Sequence, residues 1–166
     1  LRSVERSVAI RALEGLPPLP DTRLELEQIA KALGANPQTE LYLGARASEG
    51  QVRGAALDRY RVVAFATHGL QAGELPGLDQ PALALALAKD PAASPLLTLT
   101  DVLGLKLEAD WVVLSACNTA GAEGEAAEAL SGLGRGFFFA GGALDGLASA
   151  PLGAIAMGRL LGDVAW

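Results

Sequence analysis

Arg61-Val62-Val63-Ala64-Phe65-Ala66-Thr67 is a nearly continuous apolar run. A strand with one wet face alternates apolar and polar residues, so an unbroken run belongs to a strand covered on both faces. Trp111-Val112-Val113-Leu114-Ser115-Ala116 reads as a second strand of this kind. The first run stops at His68-Gly69 and the second at Cys117. His68 and Cys117 are thereby expected at the carboxyl ends of two central strands.

The intervening segments supply the helices that such strands need. Ser7–Leu13 reads as a short strand, and Gly15-Leu16-Pro17-Pro18-Leu19-Pro20 cannot continue any regular element. Asp21 is a fair N-cap for a helix to about Leu33, with Leu24, Ile29 and Leu33 near one face, the other face charged and Gly34 as the stop. Glu40–Leu43 reads as a strand, and Ser48-Glu49-Gly50-Gln51 has the capping-box spacing that opens a short helix before Gly54. Pro81–Ala86 fits strand or helix by periodicity, and the loop from Asp90-Pro91 to Pro95 favours a short strand or hairpin arm. Thr100-Asp101 can cap a helix through Leu105, Glu125–Ala140 carries helical spacing ended by Gly141-Gly142, and Pro151–Leu161 is compatible with a further helix. Alternating strands and helices imply an α/β fold, a mostly parallel central sheet covered by helices on both faces, because parallel connections need crossovers.

With 166 residues the chain fits a single domain spanning residues 1–166, and neither an internal repeat nor a linker interrupts it. A composition of 51% hydrophobic and 19% charged residues is too apolar for a disordered chain and too interrupted for a membrane protein. The N-terminal Leu1-Arg2-Ser3-Val4-Glu5-Arg6 is charged where a signal peptide would be apolar, so a cytoplasmic protein is expected. Leu1 in place of Met leads to the expectation of a fragment of a longer protein. The formal charge is −6 and the 13 Lys and Arg residues are scattered, so neither nucleic acid nor membrane is an expected partner. The one cysteine, Cys117, cannot form an internal disulfide.

In open α/β sheets ligands bind outside the carboxyl ends of the strands. The only His and the only Cys of the chain both map there. A thiol is a weak nucleophile until it ionises, and a neighbouring imidazole can accept its proton and later return one to a leaving amine. Backbone N–H groups just past strand ends can stabilise the developing oxyanion, and Gly69 and Cys117 are the candidates. The plainer alternative is that Cys117 fills apolar space and His68 is a satisfied strand-end residue.

Other signals carry less chemistry. Gly132-Leu133-Gly134-Arg135-Gly136 lies inside a helical pattern rather than between a strand and a helix, which argues against a phosphate loop. Ser115 lacks the Gly-x-Ser-x-Gly elbow of a nucleophile. One His and one Cys fall short of a metal site unless Asp79, Glu123 or Glu125 complete it, so no metal or other cofactor is expected. Glu74, Asp101 and Asp110 lie near the expected crevice, where they could shape a pocket for the residue before a scissile bond, although solvated charge is the usual role of such residues.

Phe65-Ala66-Thr67-His68-Gly69 and Val112-Val113-Leu114-Ser115-Ala116-Cys117-Asn118-Thr119 resemble the two signature segments of the CHAT domain, a caspase- and separase-like family often attached to tetratricopeptide repeats. The resemblance extends to Leu96-Leu97-Thr98, to Glu128–Leu133 and to Phe138–Gly141, covering about residues 20 to 142. It implies a caspase-like three-layer sandwich and a peptidase dyad of His68 and Cys117, with Gly69 helping to bind the oxyanion. Tetratricopeptide repeats elsewhere in the full-length chain are a further implication. After about residue 142 the pattern departs: Ala143–Pro151 does not match the Val- and Ser-rich strand with which the family continues.

The sequence is therefore read as a cysteine endopeptidase, with His68 as general base and acid, Cys117 as nucleophile and a protein or peptide as substrate. A non-catalytic interaction module with an incomplete cleft is the alternative, and small-molecule binding or hydrolysis at the same crevice is a third.

Overall fold

The computed structural model of the chain describes residues 10–87, 93–115, 125–141 and 154–158. In chain order the elements are α1 (described over residues 10–14), α2 (Asp21–Ala32), β1 (Leu41–Leu43), α3 (Glu49–Gly54), β2 (Val62–Ala66) and β3 (Gly69–Leu70). There follow β4 (Ala82–Ala84), β5 (Leu96–Thr98), α4 (Leu99–Leu103), β6 (Trp111–Ser115), α5 (Glu125–Phe139) and β7 (Ala154–Gly158). Four strands form a sheet of order β1-β7-β2-β6 in which every pairing is parallel. A smaller antiparallel sheet, β3-β4-β5, continues directly from the end of β2.

The alternation of side chains along β2 explains why its sequence is apolar throughout. Val62, Ala64 and Ala66 join Leu26 and Ala30 of α2 in one cluster, with Leu41 of β1 and the margin of Val113. Val63 and Phe65 join the opposite cluster with Leu83, Leu97, Val102, Leu133 and Phe137, drawn from β4, β5, α4 and α5. The Phe65 and Phe137 ring centroids lie 5.2 Å apart, so α5 is seated on the strand that leads to His68. Burying each large apolar side chain of these clusters contributes about 1.5–3 kcal/mol.

The register of β2 and β6 runs from Val62↔Trp111 to Ala66↔Ser115. At its start, Asp110 pairs with the Arg61 guanidinium, and the N–H groups of Asp110 and Trp111 both donate to the Arg61 carbonyl at 2.8 and 3.0 Å. At its end, the Thr67 N–H donates to the Ser115 carbonyl at 3.2 Å. The two strands therefore leave the sheet side by side.

Several sequence expectations require correction. Residues 10–14 are helical, not the end of a strand: Arg11, Ala12, Leu13 and Glu14 are good helix formers, and Leu13 buries its side chain against Leu70, Leu75 and Leu78. Asp21 is the first residue of α2 rather than its cap, a position held by Pro20. The buried face of α2 is Thr22, Leu26 and Ala30, while Leu24 points outward and is 57% exposed. The cap of α4 is Thr98, whose side chain and that of Asp101 close a reciprocal capping box, so the helix starts earlier than Thr100. Among the described residues β6 is an edge strand of the parallel sheet, its residues half-buried and Trp111 exposed, rather than a strand enclosed on both faces. Residues 154–158 form a strand instead of part of a helix, because the slot between β1 and β2 offers backbone partners on both sides of a short apolar run whose periodicity alone does not decide. The strands expected at 40–43 and 81–86, the Ser48 cap and the stop at Gly34, with φ +70°, are as expected.

Among the described residues no helix is long and apolar enough to cross a membrane.

Candidate active site

His68 follows β2 after a single residue, and the chain turns there from the parallel sheet into the antiparallel one. Ala84 of β4 holds this turn: its carbonyl accepts the Thr67 hydroxyl, and its N–H donates to the His68 carbonyl at 2.9 Å. Thr67 is fully buried and His68 is 3% exposed. A buried imidazole needs partners for its ring nitrogens. Nε2 finds one in the Pro17 carbonyl, 2.8 Å away. A carbonyl only accepts, so Nε2 carries a hydrogen, and in the neutral ring the basic lone pair then sits on Nδ1.

Pro17 belongs to the proline-rich segment that joins α1 to α2, so this loop reaches the end of β2. Its next residues reach the end of β6. Pro18, Leu19 and Pro20, with the first turns of α2, enclose a half-open pocket of about 290 Å³ that has Ser115 in its wall. There the Ser115 hydroxyl donates to Glu25 Oε2 at 2.8 Å. One loop therefore serves both strand ends.

Gly69 opens β3 opposite Leu83. The neighbouring pair, His68 and Ala84, is bonded, and bonded and non-bonded pairs alternate along an antiparallel ladder. The Gly69 N–H is consequently turned away from β4.

Cys117 lies outside the described residues, as do Asn118, Glu123 and the glycine-containing loop before α5. Ala66 and Ser115 are register partners, and His68 and Cys117 each come two residues later.

Three carboxylates expected near the crevice, Glu74, Asp101 and Asp110, are engaged elsewhere. Asp101 bonds Thr98 in the α4 cap and pairs with Arg53, and Asp110 pairs with Arg61 at the amino ends of the strands. Glu74 accepts the Gln71 N–H at 2.8 Å within a surface turn. Glu25, which the sequence places only among the charged residues of α2, reaches the crevice, and Asp21 lines the same pocket. Neither its contact nor that of Pro17 has a local signal, since they span 90 and 51 residues. Among the described residues no group of three or more His, Cys, Asp or Glu is arranged to hold a metal ion.

The family model described as the CHAT domain matches residues 5–144, most of the chain and both strand ends. No curated protein and no solved structure is significantly similar to the chain.

Proposed function

This chain belongs to the CHAT domain family, a caspase-like, peptidase-related group, and from that premise we propose that it is a cysteine-type endopeptidase acting on a protein or peptide. The observation that carries the proposal is the parallel register of β2 and β6, in which Ala66 and Ser115, each two residues before His68 and Cys117 in the sequence, are partners. His68 takes the thiol proton, and the Cys117 thiolate attacks the peptide carbonyl. The N–H groups of Gly69 and Cys117 stabilise the oxyanion, and the imidazolium returns the proton to the departing amine. Water then hydrolyses the thioester and regenerates the thiol. The Pro17 carbonyl supports this reading because it fixes the ring of His68 with Nδ1 as the base.

The same proposal takes the fold as a caspase-like three-layer sandwich, residues 1–166 as one domain atypical after about residue 142, and the protein as cytoplasmic, with tetratricopeptide repeats in a longer parent chain. A second reading, a non-catalytic interaction module, is favoured by one observation: the family match stops at residue 144. A degenerate peptide library incubated with the chain and read by mass spectrometry separates the two. The peptidase yields cleavage products, and Cys117→Ala or His68→Ala lowers their rate of formation by about a hundredfold or more. The interaction module yields none above background in any of the three proteins.

A further inference from the structure

Within the cysteine-peptidase reading, on which this inference rests, we propose that the pocket beside the end of β6 receives a Lys or Arg side chain of the substrate, and that Glu25 selects it. Three features carry this.

The first is position. Ser115 forms part of the pocket wall and precedes the proposed nucleophile by two residues, while Pro18, Leu19 and Pro20, which also line it, directly follow Pro17, the residue bonded to His68. A side chain seated there belongs to a residue next to the scissile bond.

The second is size and shape. About 290 Å³ is at the lower end of ligand pockets, which span about 300–1,000 Å³. The volume suits one side chain, and Pro18, Leu19 and Pro20 offer apolar walls to the methylene stem of a long one.

The third is charge. Both charged residues lining the pocket, Asp21 and Glu25, are acidic. The N-terminus of α2 opposes them with only about half a positive charge, so the two carboxylates prevail. Ser115 fixes Glu25 by a single hydrogen bond, and a carboxylate accepts about four. The anchored Glu25 therefore keeps acceptor capacity for an incoming ammonium or guanidinium.

The test uses three matched peptidyl acyloxymethyl ketones carrying Arg, Leu or Asp next to the ketone, with labelling of the intact chain followed by mass spectrometry. In each, the Cys117 thiolate forms a thioether and expels the acyloxy group as a carboxylate. The Arg probe is expected to label at least about tenfold faster than the Leu probe, the effect of one partly screened charge pair. Glu25→Gln keeps an oxygen for the Ser115 hydroxyl while removing the charge, and should cut that ratio severalfold, leaving only the smaller contribution of Asp21. Glu25→Lys should favour the Asp probe. In the unsubstituted protein the Arg-to-Leu ratio should fall as salt is raised, a readout independent of whether a variant folds. Equal labelling by the Arg and Leu probes, or a ratio indifferent to both salt and Glu25, overturns the pocket while leaving the dyad standing. Alkylation of Cys117 by iodoacetamide at a rate indifferent to His68→Ala overturns the dyad, and the pocket proposal with it.

Discussion

His68 has one ring nitrogen committed to a backbone carbonyl, and that commitment comes from a loop rather than from a side chain. A backbone acceptor cannot titrate, so the orientation of the ring does not change with pH through its partner. Tyr60 shows the opposite situation. Burial, and next the negative charge of Glu40, hold its phenol above the usual value of 10.0. The raised group favours the folded state while it is protonated. Its contribution is complete below pH 10, where the phenol is neutral in both states, and is lost as pH rises through the folded value. Thermal melting across the alkaline range should therefore show the stability difference between the parent and Tyr60→Phe shrinking above about pH 10. A difference constant across that range would contradict the assignment.

At the scale of elements, α5 ends where its sequence obliges it to. Gly141 has φ +108°, and a Cβ there would lie 2.1 Å from the Leu107 carbonyl oxygen. The preceding Ala140 carbonyl accepts the Leu107 N–H at 3.1 Å, so the stop is also the joint between the helix and the segment leading to β6. Gly141→Ala should lower stability by about 2–4 kcal/mol, combining backbone strain with overpacking. Gly134 provides the contrast: it lies within α5 with nothing within 4 Å of an added Cβ. Gly134→Ala should raise stability by about 0.5–1 kcal/mol. Chemical denaturation of both variants checks the pair, and a loss of similar size at the two positions would refute it.

These elements also indicate what can be read from a sequence alone. The β2 run, the glycine stops at Gly34 and Gly141 and the Ser48 cap were legible because each is encoded by neighbouring residues. Residues 10–14 and 154–158 were not. Val8-Ala9-Ile10 drew the first towards a strand, and the second depends on strands more than eighty residues away in the chain for its partners. The position of His68 at a strand end was legible, whereas its Pro17 partner and the Ser115–Glu25 contact follow only from the closed fold.

Across the whole molecule, the parallel sheet and the antiparallel β3-β4-β5 sheet meet at Thr67 and His68, and the loop from α1 to α2 spans the exits of β2 and β6. The arrangement stands on Phe65 packed against Phe137 behind it and the Arg61–Asp110 pair at the far end of the strands. The most direct test of the dyad is the rate of Cys117 alkylation by iodoacetamide as a function of pH, followed by mass spectrometry in the parent and in His68→Ala. An isolated thiol reacts only as it ionises near pH 8.5. The dyad predicts rapid alkylation extending below that pH in the parent, and loss of the low-pH reactivity in His68→Ala. Identical profiles for the two proteins, both rising only near pH 8.5, would contradict it.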